Sequence, residues 1–192
     1  MLRILDIVLS ALALVVLLPF FILVGIWIKL DSKGGVFYVQ KRVGQFGRDF
    51  YLIKFRSMQV ASDKMGLLTV GERDPRITNT GYFIRKYKID ELPQLLNVLK
   101  GDMSFVGPRP EVRKYVDLFD KNQLFVLNVR PGITDEASIT FRNENDLLSK
   151  SDNPERTYIY DILPAKIELN KKFIKNPSMW NYFRIILKTI FY

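Results

Sequence analysis

Apolar and polar positions change rhythm along this chain, and each change predicts a different element. From Ile7 to Ile28 no residue carries a charge, while Arg3 and Asp6 stand before the run and Lys29, Asp31 and Lys33 after it. At about 1.5 Å per residue a helix of that length matches a hydrocarbon core of about 30 Å, so the run predicts a membrane-inserted helix. A cleaved signal peptide needs small residues at its cleavage site, whereas this run closes on Val24-Gly25-Ile26-Trp27-Ile28-Lys29. A buried core helix would need apolar protein on every side, which a small domain can hardly supply. Pro19 lacks a backbone donor and clashes with the preceding turn, which predicts a bend between Val15 and Pro19. Basic residues near both ends are awkward for a simple span and suit a hairpin whose ends share one face; on the residues alone both topologies stay open.

Beyond the run the rhythm shortens. Gly35 to Gln40 and Phe50 to Phe55 read as two strands joined by a turn at Gly44 and Gly47, a hairpin that would carry Lys41, Arg42, Arg48 and Lys54 near phosphate groups or merely expose them to water. Met58 to Asn79 reads as a partly helical connector or mobile loop. Thr80 is a candidate cap for a short helix with Phe83, Ile84 and Arg85. Leu92, Leu95, Leu96 and Leu99 repeat at helical spacing, with Asp90 as the expected N-cap, Glu91 and Pro93 in the first turn and Gly101 at the end. Glu111 to about Phe125 reads as an amphipathic helix, and Pro154 opens another that Pro164 should bend or divide. The aromatic-rich tail from Pro177 suits either a core strip or a helix in the membrane interface.

A chain of 192 residues supports one core plus an attached element, here 1–30 and 31–192. Its formal charge of +9 favours anionic partners without choosing among nucleic acid, phosphorylated substrates and acidic lipid. The sequence holds neither cysteine nor histidine, so proton transfer must use carboxylate, lysine, tyrosine or substrate, and a bound metal must be a hard cation on oxygen. No Walker-type loop, dinucleotide fingerprint or zinc ligand set occurs. Asp90 and Glu91, with Arg85, Lys86, Lys88, Lys100 and Arg109 around them, could serve phosphoryl transfer as nucleophile, proton or metal carboxylate, and phosphate clamps. An acidic pair is also common on ordinary surfaces. Pro108 and Pro110 hold Arg109 on a stiff extended segment, a mount for phosphate recognition or a plain surface turn.

From Asp90 through Gly101-Asp102-Met103-Ser104-Phe105-Val106-Gly107-Pro108-Arg109-Pro110 the chain closely resembles the bacterial sugar transferases, the monotopic phosphoglycosyl transferases. Gln40-Lys41-Arg42-Val43-Gly44, Lys54-Phe55-Arg56-Ser57-Met58, Asp74-Pro75-Arg76-Ile77 and Val129-Arg130-Pro131-Gly132-Ile133-Thr134 resemble the family in the expected order. The resemblance covers nearly the whole chain and looks like the small catalytic form. It implies an α+β monotopic membrane protein: an N-terminal re-entrant helix-break-helix kinked at Pro19, a short β-hairpin, and a mostly helical catalytic domain with interfacial amphipathic helices on the cytoplasmic face of the bacterial inner membrane.

The same resemblance implies a UDP-sugar donor, an undecaprenyl phosphate acceptor and Mg2+. Asp90 would attack the phosphate bearing the sugar and release UMP, and the lipid phosphate would then attack the resulting intermediate. Glu91 would bind magnesium or manage deprotonation of the lipid phosphate, while Arg85, Arg109 and, less directly, Arg130 would bind phosphate. Anionic phospholipid, a homo-oligomer and downstream glycosyltransferases enter as partners, and nucleic acid does not. Two departures stand out: Leu18 replaces the serine familiar before the proline, and Asp135-Glu136-Ala137-Ser138, continuing to Glu144, replaces the usual glycine-hydrophobic-alanine-glutamine run. The second is expected to alter recognition of the donor sugar or the shell that supports it. A membrane phosphotransferase using direct transfer and a basic membrane or nucleic-acid binding protein are the competing readings.

Overall fold

The computed structural model of the protein describes residues 2–62, 66, 68–71 and 74–191. Helix α1 (Leu2–Asp31) leads into an antiparallel hairpin of β1 (Phe37–Val43) and β2 (Asp49–Phe55), in which Phe37 faces Phe55 and Val43 faces Asp49. There follow α2 (Asn79–Lys86), a 3-10 turn (Ile89–Gln94), α3 (Leu95–Lys100), β3 (Ser104–Val106) and α4 (Arg113–Val116). The chain continues through β4 (Gly132–Thr134), α5 (Glu136–Thr140), α6 (Glu144–Ser149), α7 (Pro154–Thr157), α8 (Leu163–Lys175) and α9 (Met179–Phe191). The α+β class is therefore the observed one, with two small sheets, β1-β2 antiparallel and β3-β4 parallel, among the described residues.

Helix α1 is long and apolar enough to cross a membrane, and it runs as one helix through Pro19, where the residues predict a bend and the resemblance implies a break between two helices. A proline removes one backbone bond and leaves its neighbours' bonds available, so the element persists past it. Both ends of α1 are held by the rest of the protein. Near its start the Arg3 guanidinium donates to the carbonyls of Val98 and Leu99 at the end of α3, at 2.6 and 2.9 Å. Buried Asp6 accepts from Tyr182 Oη on α9 at 2.5 Å and from Ser104 Oγ and the Phe105 amide on β3. Near its other end Val24 and Ile28 pack with Phe55 and Ile84. The Arg56 guanidinium ties off the chain just beyond, on Ser32, Lys33 and Gly35. Between these anchors Val15, Val16, Leu18, Ile22 and Leu23 are exposed.

Several predicted elements move. The cap of α2 is Thr78, whose hydroxyl accepts from the Gly81 amide at 2.9 Å, while Thr80 lies inside the helix with its amide on Asp31 Oδ2. Asp90 is not the N-cap of an α-helix: Lys88 turns left-handed at φ 56°, and the dyad sits in the 3-10 turn that precedes α3. Pro93 favours that tighter start because the position has no amide to donate. The amphipathic helix expected over 111–125 is only α4 and a separate 3-10 turn at Gln123–Asn128. Pro164 does divide its helix, since a π segment (Tyr158–Ile162) joins α7 to α8 where the proline withholds an amide. Residues 63–65, 67, 72 and 73 of the expected connector lie outside the described residues, and the described part is pinned by Arg76, which bonds Asp74 and the carbonyls of Gly66 and Leu68.

The core that supports the site gathers Val112, Tyr115, Val126, Leu148, Tyr158, Ile162, Leu163 and Ile167. Beside it the β3-β4 pair is packed as closely as backbone allows: a Cβ on Gly132 would lie 2.1 Å from the Gly107 amide nitrogen. That approach lets the Gly132 amide reach the Pro108 carbonyl at 3.0 Å and fixes the segment carrying Arg109.

Candidate active site

The hairpin and the dyad meet because Asn97 bridges them. Fully buried on α3, its amide group donates to the Tyr51 carbonyl at 2.7 Å and its Oδ1 accepts from the Ile53 amide at 3.0 Å. This lays β2 along the 3-10 turn, and the Lys54 ammonium reaches Glu91 Oε1 at 3.0 Å. From the opposite side Arg109 forks onto both carboxylate oxygens of Glu91, with Nη1 at 3.2 Å from Oε2 and Nη2 on Oε1. A planar guanidinium suits this two-point grip better than an ammonium does.

Arg109 is held as firmly as its target. Gly132 binds the Pro108 carbonyl, Arg42 Nη1 binds the Pro110 carbonyl at 3.0 Å, and the Val43 amide binds the Glu111 carbonyl at 2.9 Å. The Arg109 amide itself donates to Asp135 Oδ2, a buried carboxylate that also accepts from Asn170 Nδ2 at 2.8 Å and caps α5 through the Ser138 amide. The expectation of a stiff mount for Arg109 agrees with these contacts. Asp135, read from the sequence only as a departure, is part of that mount.

Asp90 and Glu91 are both buried, at 5% and 8% exposure, yet their ionisation is pushed in opposite directions. Burial raises the pKa of Asp90, and the neighbouring charge of Glu91 adds to the effect against the pull of Lys54, Arg85 and Lys88. Burial also works against an ionised Glu91, but Arg109 and Lys54 more than offset it and hold this carboxyl well below its ordinary range. Glu91 in turn raises the pKa of Arg109. Burial lowers that of Lys54, with Arg109 and Arg42 crowding it further. No hydrogen bond or salt bridge among the described residues engages the Asp90 carboxylate. The result is one carboxylate locked among cations beside another left available for reaction.

Both line a cleft of about 480 Å³. Arg85 lies on the same wall, its Nη2 on Thr69 Oγ1 at 3.1 Å, with Lys88 nearby in sequence. Farther along, Arg42, Glu111, Tyr158, Glu144 and Lys166 continue the lining. The structure thus brings together Asp90, Glu91, Arg85 and Arg109. Arg130 is placed elsewhere: its Nε donates to the Gly101 carbonyl at 2.9 Å, next to Arg3 at the start of α1. Pro19 lies on the exposed middle of α1, away from the cleft.

Lys54 was legible only as a hairpin cation, since nothing local links it to a carboxylate 37 positions away. Glu111, Tyr158 and Lys166 carry no sequence signal of a site at all. No group of three or more acidic side chains suited to a metal ion occurs among the described residues.

Comparison with known proteins places these residues in context. A family model described as bacterial sugar transferase matches residues 1–192. A UDP-N-acetylgalactosamine-undecaprenyl-phosphate N-acetylgalactosaminephosphotransferase of Aeromonas hydrophila is 40% identical over 188 residues, covering 96% of this chain and 41% of its own length. A putative undecaprenyl-phosphate N-acetylgalactosaminyl 1-phosphate transferase of Bacillus subtilis (strain 168) is 43% identical over 132 residues, 69% of this chain and 70% of that protein. A UDP-glucose:undecaprenyl-phosphate glucose-1-phosphate transferase of Escherichia coli (strain K12) is 35% identical over 191 residues, 97% of this chain and 38% of its own length. The chain therefore spans about two fifths of the length of the Aeromonas and Escherichia relatives.

Proposed function

The chain belongs to the bacterial sugar transferase family, and from that premise we propose that it transfers a sugar 1-phosphate from a UDP-sugar to undecaprenyl phosphate, releasing UMP, at the cytoplasmic face of the bacterial inner membrane. The observation that carries the reading is the opposed pair in the cleft: Glu91 fixed between Lys54 and Arg109, and Asp90 beside it with its carboxylate unengaged among the described residues. A carboxylate nucleophile needs this freedom, and a transferring phosphoryl group needs cations that are already oriented.

In the proposed first step an Asp90 oxygen attacks the phosphorus bearing the sugar. The bond from that phosphorus to the UMP oxygen breaks, UMP leaves with the electron pair, and the sugar phosphate is held on Asp90. In the second step an oxygen of the lipid phosphate attacks the same phosphorus, and the bond to Asp90 breaks. Burial that raises the pKa of Asp90 also makes its carboxylate a stronger nucleophile once ionised. Arg109 has five N–H donors and commits two to Glu91, so the remainder are available to phosphate oxygens. Arg85 supplies a second positive group on the Asp90 side of the cleft.

Mg2+ enters this reading as a companion of the donor. Glu91 already spends its oxygens on two cations, so the diphosphate would provide most of the ligands, with Asp90 and Glu91 adjacent. Bound there it would neutralise charge on the leaving UMP.

For topology, the proposed reading is a re-entrant α1 with both ends on the cytoplasmic side. It is supported by the anchoring of Arg3 and Asp6 to the same domain that holds Ile28. Exposed aromatic side chains at Trp27, Phe83 and Tyr87, and at Trp180 and Phe191 on α9, suit a domain seated in the headgroup layer.

The relatives are named for both N-acetylgalactosamine and glucose, so membership of the family does not choose the sugar. The decisive experiment incubates the membrane-inserted protein with UDP-sugars and Mg2+ before any lipid acceptor is added. UMP release and a sugar-phosphate mass adduct on Asp90 are expected. Asp90→Asn should lower turnover on the order of 10³-fold or more, and full activity in that variant overturns the assignment. Lipid-dependent UMP release without an adduct would instead indicate direct transfer.

A further inference from the structure

We propose that Lys88 receives the phosphate of the incoming lipid, at the point where the surface seated in the headgroup layer opens into the cleft; this rests on the reading of the acceptor as undecaprenyl phosphate. The backbone gives the first indication. Lys88 follows the end of α2 with φ 56° and ψ 19°, the left-handed conformation that glycine adopts most readily after a helix. The turn depends on that conformation: the Lys88 amide donates to the Arg85 carbonyl at 3.1 Å, and its carbonyl accepts from the Glu91 amide at 3.2 Å. Nothing in those bonds calls for a lysine. A long side chain kept where the backbone favours glycine, two positions before Asp90, points to a use for its ammonium.

The side chain is exposed and lines the cleft with Arg85 and Asp90, close enough to favour the ionised forms of both Asp90 and Glu91. No hydrogen bond or ion pair among the described residues engages its ammonium, whereas Arg109 is clamped on Glu91 and Arg85 on Thr69. Fixed guanidinium groups suit a diphosphate that must be aligned; an ammonium on a flexible stem suits a phosphate that has to be captured. The residue before it, Tyr87, ends an exposed aromatic run. Trp27, near the end of α1, packs on Phe83 at 5.3 Å, Phe83 packs on Tyr87 at 4.7 Å, and Lys86 Nζ lies 5.8 Å from the centre of the Tyr87 ring. Aromatic rings of this kind settle at headgroup depth, so the run leads from the apolar helix to the rim of the cleft without leaving the interface. In the second proposed step an anionic phosphate approaches a phosphorus that already carries negative oxygens. A positive charge at the rim offsets that repulsion.

The test separates the two proposed steps, using the full chain in lipid nanodiscs and the UDP-sugar most active in UMP release. Exchange of labelled UMP into that UDP-sugar reports the first step without acceptor, and transfer to undecaprenyl phosphate at varied mole fraction reports the second. Lys88→Ala is expected to raise the acceptor KM about tenfold or more, the range for a hydrogen bond between charged groups, and to lose at least about five times more on transfer than on exchange. Lys88→Arg should recover part of the acceptor affinity. Lys88→Gly removes the same ammonium from a position that glycine favours, so its melting temperature should equal or exceed that of the wild type while the transfer defect persists. The defect should also persist in discs of phosphatidylcholine alone. A defect that vanishes there assigns the ammonium to general attraction for anionic headgroups and overturns the inference. So does an unchanged acceptor KM, or an equal loss on exchange and transfer, which would put Lys88 on the donor. Absence of UMP exchange with every UDP-sugar in the wild type overturns the underlying reading, and the inference falls with it.

Discussion

At the scale of single residues, the dyad works by difference. Asp90 and Glu91 are neighbours in sequence and alike in chemistry, yet among the described residues Glu91 faces two cations at contact distance and Asp90 none. If Asp90 must be ionised to react, activity rises with pH through its raised pKa, so the acid limb of kcat/KM lies above the ordinary aspartate value of 3.8. The Glu91 charge contributes to that raise, and its removal also frees Lys54 and Arg109 to act on Asp90. Glu91→Gln should therefore move the acid limb of the residual activity to lower pH, and a limb that stays or rises would show the coupling to be misread. Stability carries the opposite signs for the two groups. The depressed pKa of Glu91 contributes stability above its ordinary 4.5 that is lost as pH falls through the depressed value. The raised pKa of Asp90 contributes stability below 3.8 that is lost as pH rises through its folded value. A second prediction concerns Asp135, which answers the Arg109 amide, the Ser138 amide and Asn170 at once. Asp135→Ala should cost about 1–3 kcal/mol in urea unfolding, the range for stranding buried donors, and lower kcat by about tenfold through a loosened Arg109. Asp135→Asn, which keeps one acceptor oxygen, should recover part of both. The acidic pair itself was plain in the sequence. Its asymmetry was not, because the groups that create it stand 37 and 18 positions away.

At the scale of elements, what the sequence conveyed depended on whether a local rule or a distant contact decided the outcome. The hairpin was legible because alternation and two turn glycines are local, and the end of α3 at Gly101 was legible because φ 99° suits glycine there. Division at Pro164 of the helical run that Pro154 opens is likewise a matter of one missing amide. The dyad's turn was misread as a simple helix start because Lys88 adopts a left-handed conformation that no helical periodicity announces. Glu111 to Phe125 shows a plausible apolar face but breaks into pieces, since Val112, Tyr115 and Val126 are claimed by a core whose other members come from residues 148–167. The pairing of β3 with β4 left no trace in either strand of three residues, and its sign is the tolerance of backbone for backbone at Gly107 and Gly132. Gly132→Ala therefore places a methyl 2.1 Å from one backbone atom of Gly107 and 2.5 Å from another. It should destabilise the fold by at least about 1–3 kcal/mol, the cost of overpacking a rigid site, and reduce turnover because the same contact holds Pro108. Calorimetry and UMP release on one preparation check both halves.

At the scale of the whole molecule, the question is how an apolar helix and a cationic cleft are joined, and whether that joint would let the soluble donor and lipid acceptor of the proposed reaction meet. A helix of 30 residues is about 45 Å long if straight. Placed across a bilayer, it would carry Arg3 to the side opposite Asp31, beyond about 30 Å of hydrocarbon. Yet Arg3 bonds Val98 and Leu99, and Asp6 bonds Ser104, Phe105 and Tyr182, all in the domain that packs Ile28 against Phe55 and Ile84. A span would have to break the whole N-terminal set, including a buried carboxylate with three partners. An entry that returns to the same face keeps both sets and gives the exposed Val15, Val16, Leu18, Ile22 and Leu23 to lipid. In the proposed reading it would also keep the cleft, built on the α3 and hairpin elements that α1 clamps, at headgroup depth within reach of a lipid phosphate. The chain has no cysteine, so single substitutions report cleanly on sidedness. Ile4→Cys and Lys33→Cys, at exposed positions beside the two anchors, should both react with a membrane-impermeant maleimide in inverted vesicles and neither in right-side-out spheroplasts, while Val16→Cys reacts in neither. Labelling of Ile4→Cys from the outer face, with Lys33→Cys reached from the inner, would mean that the helix crosses and that the bonds of Arg3 and Asp6 do not survive insertion.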